Sequence, residues 1–175
     1  MNPRTEKLPA ATLAGDDLLP GLLHRFINQC SRVPNTLLAF VARFSIAAVF
    51  WKSGETKIQG FAVDIINGEF TLGWPRLSDS VVDLFRDEYH LPLIPPEIAA
   101  TMAATAEHVF PLLLLFGLAT RLSALALLGM TLTIQLFVYP DAYPTHGTWA
   151  AVLLYLMAHG PGMLSLDHWI AQREA

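Results

Sequence analysis

The sequence predicts an all-α integral membrane protein: a four-helix bundle with an extra interfacial helix in the first extracytoplasmic loop. Three observations carry that expectation. Of 175 residues, 53% are hydrophobic and only 15% charged, with a mean hydropathy of +0.42; a soluble domain carries about 25% charged residues. Four segments, near residues 35–58, 97–120, 121–139 and 148–166, approach the ~17–25 apolar residues that a span needs. None has a polar face wide enough to solvate a soluble bundle. The net charge of −4, without a basic run, points away from nucleic acid as a partner. A single cysteine, Cys30, excludes a dithiol or internal disulfide, so redox chemistry would need something other than a cysteine pair.

Residues 1–33 form a separate polar segment, with Pro3, Pro9, Gly15 and Pro20 and no secretory-signal pattern. Within it "LLPGLLHRFINQC" is weakly amphipathic and reads as a short interfacial helix or as disorder. Residues 34–175 make up the membrane domain. After the first span, residues 59–96 form a long connection whose Trp74 and Tyr89 suit the headgroup level. Inside it "SDSVVDLFRDEYH" reads as a helix that Ser78 or Asp79 can cap. Val81, Val82, Phe85 and Tyr89 make its apolar stripe; Asp83, Arg86 and Asp87 face away. This helix is either a lid on the bundle or a docking surface for a partner. "LPLIPPE" stops it, and the second span starts at Pro96-Glu97. A tight Gly117–Arg121 turn joins the second and third spans, and residues 139–144, "YPDAYP", make a rigid interfacial turn. Gly160-Pro161-Gly162 ends the last span. Arg4, Lys7, Arg25, Arg32, Arg121 and Arg173 fall on one side, which predicts both termini in the cytoplasm.

Several polar residues lie at membrane depth. Glu107 falls near the middle of the second span, Arg43 about a third of the way into the first, and Gln135 late in the third. Lys52 and Glu55, three apart, can meet on one helix face. Arg43, Phe50, Gly54 and Lys57 share a stripe, at spacings of seven, four and three. A mid-depth acid should face the bundle interior and find a partner. Arg43 and Lys52 bracket Glu107 and are the expected counter-charges. The pair then either fixes helix register or lines a polar pocket for a small lipophilic molecule or for protons; the remaining alternative is a protonated Glu107 that faces lipid. His108 points about 100° away from Glu107, towards a helix seam. No histidine pair has metal-ligand spacing, so no metal site is expected, and a haem bridging His108 and His159 is not expected either.

Three motifs carry a resemblance. "RFSIAAVFWKSGETKIQGF", with Arg43, Phe50, Gly54 and Lys57, resembles the opening of the DoxX family of small bacterial membrane proteins. "EHVFPLLLLFGLATR", with Glu107, Gly117, Leu118, Thr120 and Arg121, resembles its second signature, and "GPGMLSLD" its close. The resemblance implies a four-span bundle in the bacterial inner membrane, working with redox partners. The expected function is a membrane component of a redox system, an oxidoreductase subunit interacting with the quinone pool. Glu107, His108 and Arg43 would handle the proton, while Phe50, Trp51, Lys52 and Gln135 would hold the quinone. The alternative is a non-enzymatic anchor or assembly partner for a soluble redox or metallopeptide-modifying enzyme.

Overall fold

The computed structural model describes residues 18–64 and 68–174, which fall into two units divided between Pro34 and Asn35. The first unit contains helix α1, Leu18–Cys30, with Leu22, Leu23, Phe26 and Ile27 exposed. The remaining N-terminal residues lie outside the described part.

The second unit is helical but for one hairpin. It runs α2 (Asn35–Glu55), β1 (Ile58–Asp64), β2 (Glu69–Leu77), α3 (Asp79–Leu84), α4 (Pro96–Phe116), α5 (Thr120–Phe137), α6 (Tyr143–His159) and α7 (Leu166–Glu174). Helices α2, α4 and α5 are each long and apolar enough to cross a membrane. The fourth expected segment is helix α6, which starts earlier than predicted and spans 17 residues. Helix α2 packs on α4 and α6, and α5 packs on the same two. Their shared core holds Ile46, Phe50, Leu114, Leu127, Leu153 and Leu156, all buried. The outward positions, among them Phe44, Val109, Leu122 and Leu136, are large and exposed. That inverted pattern is what a lipid solvent selects, since hydrocarbon exacts no cost for apolar surface.

The connection after α2 differs from the expectation. The sequence reading treats it as loop up to the lid helix and runs the first span to residue 58. The structure instead ends α2 at Glu55 and pairs Ile58–Asp64 antiparallel with Glu69–Leu77. The period-two signal was present in Phe61 and Val63 and in Phe70, Leu72 and Trp74. Two of the cross-strand pairs, Phe61 with Leu72 and Val63 with Phe70, join large apolar side chains. Such runs look like a span's continuation when only apolar content is counted.

The lid helix forms as expected. Val81 and Phe85 are buried against Ala99 and Ala100 of α4, with Val82 and Tyr89 beside them. Three alanines, Ala99, Ala100 and Ala103, keep that face of α4 low enough to seat it. From α3 the chain continues in a wider turn, Phe85–Tyr89, that sets Phe85 against Tyr89 at a tilt of 49°, ring centres 4.6 Å apart. Neither expected side-chain cap forms. Ser78 sits at the cap position, but its hydroxyl bonds Gln59 and Ser80 instead.

At the opposite end of the bundle the three sequence motifs meet. Gly117 ends α4 in the left-handed region, φ 67°, where Leu118 N donates to Leu113 O at 2.8 Å. This is the glycine-closed helix end that leaves later carbonyls open. Arg43 adds a donor there, with Nη1 at 3.4 Å from Leu115 O and 3.3 Å from Leu114 O, which also accepts from Gly117 N at 3.0 Å. Its Nη2 reaches Leu164 O at 2.5 Å in the segment before α7. Asp167 caps α5 from a distance, its carboxylate accepting from Ala119 N at 2.7 Å and Thr120 N at 2.9 Å. A cation at one helix C-terminus and an anion at the next N-terminus both suit the helix dipoles.

Candidate functional site

The stripe that the sequence singled out on α2 does turn inward. Arg43 and Phe50 are each 1% exposed, Gly54 is buried, and Lys57 is 6% exposed. Yet its members serve two different places. Arg43 belongs to the motif end just described and makes no contact with Glu107. Lys52, also expected as a counter-charge, is half exposed and sits 3.9 Å from Glu55.

The partner of Glu107 is Lys57. Its Nζ stands 2.7 Å from Oε2, with both side chains buried. Lys57 stands at the outer end of the expected first span and counts as interfacial by depth alone, which hides it as a partner for a mid-depth acid. Its long stem folds back along α2, anchored by Ser53, whose carbonyl and hydroxyl lie 3.2 and 3.0 Å from Nζ. Ser53 Oγ then donates to Glu107 Oε1 at 3.0 Å. Ser53, Lys57 and Glu107 therefore form a closed polar triangle between α2 and α4. Oε2 receives the ammonium's charge but no aligned hydrogen bond among the described residues.

His108 faces α2, as the 100° offset predicts. Its Nδ1 lies 2.7 Å from Ala104 O and its ring meets Trp51 edge-on at 5.0 Å. Gly54 makes this approach possible. A Cβ there would stand 2.7 Å from His108 Cε1 and 3.1 Å from Glu107 Cβ. Gly54→Ala is expected to destabilise the protein by about 1–3 kcal/mol, the range for overpacking a filled seam. Thermal unfolding in detergent would check it, and an unchanged midpoint would show that the seam is slack.

Trp51 lies away from the polar triangle. Its indole N–H donates to Glu55 Oε1 at 3.1 Å, and the same oxygen accepts from Val63 N at 3.0 Å. Trp51 and Glu55 thus fasten the hairpin to α2. Gln135 is placed near the end of α5, where Nε2 donates to Pro140 O at 2.6 Å and Oε1 meets His146 Nδ1 at 2.7 Å. His159 stacks on Tyr155 at the other end of α6, ring centres 4.6 Å apart.

One cavity of about 420 Å³ opens between the helices beneath the lid. That size lies within the ~300–1,000 Å³ range of small-molecule sites. Phe50, Phe110, Met130 and Trp149 form its apolar walls, and Phe85, Tyr89, Leu91 and Ile94 its roof. Ser53, Lys57, Glu107, Thr133 and His146 supply its polar groups. Of the expected site residues, Glu107 and Phe50 line this cavity, whereas Arg43, His108, Trp51, Lys52 and Gln135 do not. His146 was missed as a site residue because it precedes the expected start of the last span. The structure brings it in by beginning α6 at Tyr143. Tyr89 and Tyr139 meet edge-on at the roof, ring centres 5.9 Å apart. Burial and the neighbouring Tyr139 push the Tyr89 phenol well above its ordinary value, so it stays protonated.

Comparison with known proteins finds the DoxX family model matching residues 38–140. A curated Haemophilus influenzae protein, described as an uncharacterized protein, is 34% identical over 92 residues. That match covers 47% of this chain and 61% of the relative, so the chain spans about three fifths of the relative's length. No solved structure matches.

Proposed function

Because the chain belongs to the DoxX family of membrane proteins and carries three helices fit to cross a bilayer, we propose that it is the membrane component of a redox system and binds a quinone-type molecule in the cavity under the lid. The observation that supports this is the buried Ser53–Lys57–Glu107 triangle facing an otherwise apolar chamber. An ionised pair is expensive to bury, and inside a membrane such pairs mark pathways and ligand sites. A lipophilic ring fits the walls of Phe50, Phe110 and Trp149, while Glu107 exchanges the proton that accompanies quinone–quinol interconversion. General acid–base help of this kind contributes on the order of 10² or more in rate. Electrons pass to or from a partner protein carrying its own redox centre, since the single cysteine cannot form a dithiol. The protein sits in the bacterial inner membrane with α6 as a fourth span and both termini in the cytoplasm, the orientation its Lys and Arg distribution favours.

The test is mass spectrometry of the lipid extract from purified, detergent-solubilised protein. A quinone-family molecule is expected at close to one per chain, and it should be lost from Ala106→Trp, which fills the cavity. A wild-type protein that carries none, and takes up none from added short-chain quinone, would overturn the reading. An anchor or assembly role would then stand, and capture of the soluble partner would follow.

A further inference from the structure

The hydrogen bonds around His146 bear on which oxidation state of a ligand the cavity accepts. Pro140 O can only accept, so the Gln135 side chain must present its NH₂ there, at 2.6 Å. The other end of that amide, Oε1, therefore faces His146 Nδ1 at 2.7 Å. An oxygen acceptor there requires Nδ1 to carry the hydrogen. In the neutral ring, Nε2 is then a bare lone pair, and it makes no hydrogen bond among the described residues. His146 is 6% exposed and lines the cavity beside Trp149, ring centres 5.1 Å apart.

The other polar side chains of the helical wall are committed in the same sense. Thr133 donates to Gly129 O at 2.9 Å and Ser53 to Glu107 Oε1 at 3.0 Å. Lys57 holds its ammonium against Ser53 O, Ser53 Oγ and Glu107 Oε2. Glu107 Oε2, on a side chain 2% exposed, is held by that ammonium at 2.7 Å. That leaves His146 Nε2, among the described residues of the helical wall, as the acceptor still without a hydrogen.

We infer that the cavity is specific for the reduced, hydroxylated form of its ligand, a quinol, with His146 Nε2 as a specificity-determining acceptor and Gln135 as the residue that positions it. This rests on the quinone-type reading above and deepens it. A quinol offers an O–H to that nitrogen; a quinone offers only acceptors and leaves its lone pair unmet. Unpaired buried polar groups are what make such sites selective.

The test is a fluorescence titration of the full chain in detergent with a short-chain alkyl benzoquinol and, separately, its benzoquinone, each under controlled redox conditions. Trp149 in the wall reports occupancy. The quinol is expected to bind more tightly. His146→Phe should weaken quinol binding by about 2- to 13-fold, the worth of one hydrogen bond, and leave quinone binding within about twofold of wild type on the same scale. Gln135→Leu, outside the cavity, should lower the quinol-to-quinone preference without removing binding, and serves if His146→Phe does not fold. Equal wild-type affinities for the two forms, or equal weakening of both by His146→Phe, would overturn the inference while leaving the quinone site in place. Binding of neither form to the wild type would overturn the cavity reading and this inference together.

Discussion

Replacing Lys57 with methionine is expected to destabilise the protein by about 3–5 kcal/mol, the usual result of stranding one member of a buried ion pair. The size follows from burial. Glu107 is 2% exposed and has no other cation in contact among the described residues, so its carboxylate would remain inside the bundle without compensation. The paired replacement, Lys57→Met with Glu107→Leu, should recover most of the loss, because well-packed apolar residues commonly match a buried pair in stability. Reversible unfolding of the two single variants and the double variant in detergent measures the coupling directly. If the losses simply add, the 2.7 Å contact contributes nothing and the triangle is incidental. If the double variant is stable yet no longer binds a quinone-type ligand, the pair is kept for function at the expense of stability.

Arg43→Ala is the second large effect, and it acts at the other end of the molecule. The guanidinium is the donor for Leu114 O, Leu115 O and Leu164 O. Leu114 O would keep Gly117 N at 3.0 Å, whereas Leu115 O and Leu164 O would lose their donor; a carbonyl kept from water without a donor costs about 1–3 kcal/mol. The effect should be felt first in the segment after α6, since Nη2 ties Leu164 to the end of α4. Gly117 has to remain a glycine for the same reason: a Cβ there would lie 2.1 Å from Arg43 Nη1. Hydrogen exchange would show the 160–174 segment opening in Arg43→Ala while the lid and α4 near Glu107 stay protected. Loss of protection around Glu107 instead would mean that Arg43 supports the cavity after all. Quinone retention should be unaffected in the folded variant, which separates this residue from the site.

What could be read beforehand follows the physics of each feature. Apolar spans and their breakers are local, so α2, α4 and α5 were legible from composition and from Pro96 and Gly117. The lid helix was legible because Val81, Phe85 and Tyr89 recur at helical spacing. The hairpin was legible in principle, through the alternation of Phe70, Leu72 and Trp74, but a count of apolar content hides it.

The sequence alone determined that Glu107 lies inside an apolar bundle and must have a cation, and that Arg43, Phe50, Gly54 and Lys57 share one face. Depth along a helix cannot say which cation, because a lysine side chain can double back by a helical turn and an arginine can be claimed by an open helix end. Only the tertiary structure decided that Lys57 takes Glu107, that Arg43 closes α4, and that His146, remote in sequence, shares the chamber. Pairing depends on which groups remain unsatisfied once the helices have packed, and that is a property of the assembled fold rather than of any one segment.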